Sequence, residues 1–178
     1  MNLSEKFYRT WLSVMDEIKS DLFNASASNK EYTKLIIHDN DSALVKIGKI
    51  LDYKCYNADY YYTDAVFYKE QDILSEHPDA FYLTDIRIAF EHENVFNSGL
   101  FQEVCHLLQV NSELKVLVSY PPNSESETSE LQYLHKIITR SSNSNHISDM
   151  HGFLVIMGYM EPYTWNGWIF KSDGWIKL

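Results

Sequence analysis

The chain has 178 residues, 45% of them hydrophobic and 22% charged, which is the size and composition of one globular domain with its own core. A formal net charge of -10 argues against a protein that coats nucleic acid by broad counterion displacement. Cys55 and Cys105 are the only thiols, which excludes a disulfide framework, and no run of about 18 apolar residues exists to span a membrane.

Met1 opens a polar, amphipathic stretch without an apolar signal region, so the expected location is the cytoplasm. Ser4 is the expected cap of a first helix, in which Phe7, Trp11, Val14, Met15, Ile18 and Leu22 form one apolar stripe. Small polar residues from Asn24 to Asn29 read as a loop. A second helix starts at Asp41 or Ser42, with Leu44, Ile47, Ile50 and Leu51 inward and Lys46 and Lys49 outward.

Asp59 to Tyr68 is dense in β-formers and predicts a strand. A loop with His77, Pro78 and Asp79 follows, then a strand from Phe81 to Glu93 that Asn94 to Gly99 terminates. Leu100 to Val110 predicts a helix with Val104, Leu107 and Leu108 inward. The apolar run Leu114 to Tyr120 reads as a strand buried on both faces, ended by Pro121 and Pro122. A helix around Leu131, Leu134, Ile137 and Ile138, a loop over Ser141 to Ser148, and a strand from Phe153 to Met160 come next. Trp168 to Phe170 and Trp175 to Leu178 form a hairpin around Ser172-Asp173-Gly174. The fold class is α/β, a central mixed β-sheet flanked by helices in a single domain over 1-178.

Asp64 sits among Tyr, Val and Phe in its strand, where an ionised carboxylate is costly unless paired or bound to a cation. Glu91 and Glu93, two residues apart, share one face of the next strand. If those strands pair with Asp64 and Glu91 on one face, the three carboxylates converge. Such oxygen donors suit Mg²⁺ or Mn²⁺. No His-x₃-His or Cys-x₂-Cys spacing links His38, His77, His135, His146 or His151, so zinc is not supported. Walker, GxGxxG and GxSxG motifs are absent, which removes the common nucleotide-binding and serine-hydrolase readings.

A helix, an Asp-bearing strand (Tyr62-Thr63-Asp64-Ala65-Val66-Phe67), a Glu-x-Glu strand (Ala89-Phe90-Glu91-His92-Glu93-Asn94), then helix and strand resembles the PD-(D/E)XK nuclease superfamily from the first helix through Tyr120. The resemblance implies a restriction-endonuclease-like fold and Mg²⁺- or Mn²⁺-dependent hydrolysis of DNA phosphodiester bonds. It implies Asp64 and Glu91 as metal ligands, with Glu17 on the first helix as a further one. Glu93 stands where the family usually has Lys, and in that position it is the expected proton acceptor. Glu103 and His106 on the following helix are candidate accessory residues, His106 replacing part of the missing positive charge.

Blander readings stand beside these. Asp64 would bond backbone or Arg87, the Glu91/Glu93 pair would be a solvated strand face, and Glu17 a solvated helix residue. His92 points to the face opposite Glu91 and reads as packed. His106 reads as structural, both cysteines as inert, and Tyr60-Tyr61-Tyr62 as sheet packing rather than a base-stacking platform. The functional alternatives are a catalytically inactive relative serving as a binding or regulatory module, with a homodimer as its expected assembly, and an acidic interaction protein that mimics DNA.

Overall fold

The computed structural model describes residues 1–74, 80–96 and 98–178, so the loop expected at His77, Pro78 and Asp79 lies outside the described residues. It is an α/β structure whose seven strands form one mixed sheet in the order β1 to β7, with helices on both faces.

The first layer is helical. α1 (Leu3–Glu17) is capped by Asn2, whose side chain accepts from Glu5 N–H, while Ser4 is buried inside the helix. α2 (Lys19–Ala25) and α3 (Asn29–Thr33) follow, and a five-residue π-helical segment, Lys34–His38, continues α3. α4 (Ala43–Leu51) starts at the cap Ser42 and buries Leu44 and Ile47, whereas Ile50, expected inward, is 60% exposed. Phe7, Trp11, Val14, Met15, Ile18 and Leu22 are all buried against the sheet, each contributing roughly 1.5–3 kcal/mol of apolar burial.

The sheet begins with an antiparallel meander of β1 (Lys54–Tyr56), β2 (Ala65–Tyr68) and β3 (Ile86–Glu93). The strand expected from Asp59 starts only at Ala65. Tyr60 and Thr63 exchange backbone hydrogen bonds of 2.8 and 3.1 Å around Tyr61 and Tyr62, which both have positive φ, so these β-formers make a tight turn. β3 likewise starts at Ile86, not Phe81. α5 (Leu100–Gln109) crosses over to β4 (Ser112–Ser119), which runs parallel to β3. α6 (Ser124–Thr139) and α7 (Ser144–Met150) lead to parallel β5 (Phe153–Met160). α7 occupies most of the stretch expected as a loop. β6 (Tyr163–Lys171) and β7 (Gly174–Lys177) close the sheet as an antiparallel hairpin.

Alternation along the strands divides two cores. Ile88, Phe90, Leu114, Val116 and Val118 pack toward α1–α4. Ala89, Leu117, Val155 and Met157 pack beneath α5, α6 and α7 with Val104, Leu107, Leu134 and Ile147. Among the described residues, no helix is long and apolar enough to cross a membrane.

Candidate metal centre

The β2–β3 register pairs Ala65 with Phe90, so the preceding Asp64 comes opposite Glu91. Both carboxylates stand at the carboxyl end of β3, beside the amino-terminal half of α5. Asp64 N–H donates to Glu91 Oε2 at 3.4 Å, and His92 N–H donates to Asp64 Oδ2 at 2.8 Å. Glu91 is 2% exposed, and its Oε1 is buried without a hydrogen-bond partner among the described residues.

α5 adds two side chains from above. Glu103 and His106, three residues apart, share a helix face because a helical turn is about 3.6 residues. Glu91, Glu103 and His106 each offer a donor atom, and all three atoms lie within 4.8 Å of one another. His106 Nδ1 stands 3.4 Å from Glu103 Oε2 without hydrogen-bonding alignment. The Tyr62 ring lies 6.4 Å from the His106 ring at the outer rim.

Electrostatics set this cluster apart from the other buried carboxylates. Burial, then the Asp64 and Glu103 charges, pushes Glu91 up to about 9. Burial also raises Asp64, opposed by the His92 N–H bond. Glu103 is raised by burial, opposed by His106 and reinforced by Asp64 and Glu93. Asp72, by contrast, is 1% exposed but bonded to Arg87 at 2.8 and 2.5 Å, and Arg87 holds its carboxyl below the usual range. Glu127, 3% exposed, accepts from Trp168 Nε1 at 2.6 Å, from Asn166 Nδ2 at 3.1 Å and from the Tyr159 hydroxyl. Those two are satisfied structural groups, whereas Glu91 retains an unsatisfied acceptor.

The residues singled out in the sequence divide accordingly. Asp64 and Glu91 are cross-strand neighbours, and Glu103 and His106 join them. Arg87, the bland partner for Asp64, instead pairs with Asp72 and Glu113. Glu93 shares the Glu91 face, but its Oε1 accepts from Val95 N–H at 2.6 Å in the turn after β3. Glu17 does not join the cluster: it ends α1 on the other side of the sheet, bonded to Lys46 at 2.7 Å. His92 faces that other side too, stacked on Tyr32 and bonded through Nε2 to the Tyr120 hydroxyl at 2.8 Å. Burial lowers it to about 3, so it is a neutral packed histidine. The Glu103-x-x-His106 spacing on an amphipathic helix was the available signal that α5 brings both side chains to one place beside Glu91.

Two glutamates and one imidazole fit a divalent cation on two grounds. Among the described residues Glu91 Oε1 has no hydrogen-bond partner, and the three donor atoms converge. A mixed oxygen–nitrogen set favours Mn²⁺ over Mg²⁺, which prefers oxygen alone. No protein-family model matches the chain, and no curated protein or solved structure is significantly similar to it.

Proposed function

We propose that Glu91, Glu103 and His106 hold a divalent cation, Mn²⁺ or Mg²⁺, beside Asp64, and that the protein hydrolyses DNA phosphodiester bonds there. The observation that carries the reading is the buried Glu91 carboxyl group, one oxygen of which has no partner among the described residues, gathered with a second carboxylate and an imidazole. The element order supports a restriction-endonuclease-like relationship: a helix precedes the β1–β2–β3 meander, and α5 leads to β4 parallel to β3.

A bound cation would polarise a phosphoryl oxygen and acidify water. The chain's own residues have narrower tasks. Asp64 is fixed by the His92 N–H and sets the carboxyl orientation of Glu91 through its own N–H. Glu91 is protonated near neutral pH in the free protein, so it must release that proton to become a ligand. Glu103 and His106 lie beside it and would complete the donor set, His106 as a neutral imidazole. Tyr62, 81% exposed at the rim, offers a face on which a nucleobase can stack.

Calorimetric titration with Mn²⁺ and Mg²⁺, combined with cleavage assays on single- and double-stranded DNA, tests the proposal. Saturable uptake of one ion and Mn²⁺-supported cleavage are expected, both lost in Glu91→Gln and Glu103→Gln. Unchanged uptake or cleavage in those variants would remove the assignment. A second reading, a metal-holding but non-catalytic binding module, is favoured by the Glu93 carboxylate, which is held on Val95 N–H where the family's Lys would stand. Site-specific Mn²⁺ uptake without cleavage of any DNA form would select it.

A further inference from the structure

At the amino end of β4, strand alternation places Lys115 on the α5–α7 side, opposite the core-facing Leu114 and Val116. Lys115 is 6% exposed. Its Nζ donates to the Ser112 carbonyl at 3.3 Å and to Ser112 Oγ at 3.2 Å. Among the described residues no carboxylate pairs with it: the nearby Glu113 carboxylate is bonded to Arg87 at 2.6 Å. Burial drives the ammonium down to about 8, the direction expected of an uncompensated cation.

Lys115 lines a cavity of about 650 Å³ between the carboxyl end of α5, the start of α1 and α7. That volume falls within the usual range for small-molecule sites. Leu108, Ile147 and Met150 supply apolar lining, and Asn111 and Asn143 supply polar lining. A buried cation in a roomy, half-apolar pocket lacks only a counter-charge that brings its own apolar body.

We propose that this pocket binds a small organic monocarboxylate, its carboxylate on Lys115 and its apolar body against Leu108, Ile147 and Met150. A monoanion fits because Lys115 is the one Lys or Arg among the described lining residues, which also include His146, and the Glu113 carboxylate on the cavity wall opposes a second negative charge. The site is separate from the carboxylate cluster and does not depend on the nuclease reading.

The test uses the whole chain and three probes of equal chain length: octanoate, octyl phosphate and octanol. Calorimetry and thermal melting should show saturable one-to-one octanoate binding, at least tenfold tighter than that of octanol or octyl phosphate. Lys115→Met should weaken octanoate at least tenfold and leave octanol unchanged. Met150→Glu, at a 62% exposed position on the cavity wall, should weaken octanoate without disturbing the fold. Equal binding of octanol and octanoate, undiminished octanoate binding in Lys115→Met, or no saturable octanoate binding at millimolar concentration would overturn the proposal. Preference for octyl phosphate would overturn the carboxylate assignment.

Discussion

At the carboxyl end of β3, the face covered by α5 holds carboxyl groups that burial drives toward their neutral form. At the amino end of β4, the same face holds an ammonium that burial drives toward its neutral form. Glu91 rises to about 9 and Lys115 falls to about 8, so one physical cause moves an acid and a base in opposite directions. Arg87 on β3 and Asp72, in the turn between β2 and β3, show the contrast: each has found its opposite, and neither is left wanting a partner. Among the described residues, buried charge is satisfied within the chain at Asp72 and Glu127 and left open at Glu91 and Lys115. The two open places face a convergent donor set and a cavity respectively.

The carboxylate end should respond most to substitution. A folded-state value above the unfolded one means that the native state binds more protons between about 4.5 and about 9. In metal-free protein, stability should therefore fall as pH rises through that window. Glu91→Gln removes the largest of these titrating groups, so its stability should fall less steeply with pH than the parent's and exceed the parent's near pH 8, with Asp64 and Glu103 supplying the slope that remains. Parallel pH–stability curves for the two proteins would show that Glu91 does not carry the burden assigned to it.

The lysine end should respond with the opposite slope. Because Lys115 is lowered from 10.5 to about 8, the unfolded chain binds more protons in that interval, and stability should rise with pH across it. Lys115→Met should stabilise the protein by about 2 kcal/mol at pH 7 and lose that advantage by about pH 11. Chemical denaturation at both pH values measures it. A variant less stable than the parent at pH 7 would show that the bonds to Ser112 outweigh the desolvation.

Coupling between proton and metal sharpens the comparison further. If Glu91 enters the coordination set, about one proton should leave with each Mn²⁺ bound near pH 7. The apparent Kd should then tighten about tenfold per pH unit up to about 9, roughly 1.4 kcal/mol per unit. Calorimetry in buffers of different ionisation enthalpy counts that proton directly, and a pH-independent Kd would place the ion elsewhere.

What the sequence disclosed follows from periodicity. Alternation along Ile86–Glu93 placed Glu91 and Glu93 on one face and His92 on the other, because a strand reverses its side chains at every residue. The apolar run of β4 announced a strand covered on both sides, with no sign that its single lysine would be sealed from solvent beside a cavity. The Glu103–His106 pair was visible as spacing, but its role depends on how α5 lies across β3, which only tertiary packing decides. Glu17 illustrates the same limit: helical position alone did not reveal that α1 covers the opposite face. α7 lacked a long apolar stripe and so read as loop, although Ile147 anchors it to the core.

The Tyr60–Thr63 turn misled for a different reason, and it yields the smallest expected effect. Tyr and Thr favour strands on average, yet Tyr61 and Tyr62 adopt φ of 51° and 68°. Left-handed backbone costs an L-residue other than Gly, Asn or Asp roughly 1 kcal/mol. Tyr62 is 81% exposed, so little packing offsets that cost within the free protein. Tyr62→Asn should therefore stabilise the chain by about 0.5–1 kcal/mol, since Asn tolerates this conformation. The same substitution removes the aromatic face beside His106, so it should weaken binding of single-stranded DNA several-fold if bases stack there. Denaturation and fluorescence titration on one variant separate the two consequences. A more stable variant with weakened DNA binding would mean that the strained tyrosine is kept for its position at the site. A more stable variant that binds DNA unchanged would make Tyr62 a feature of the turn alone and remove the stacking contact from the substrate path.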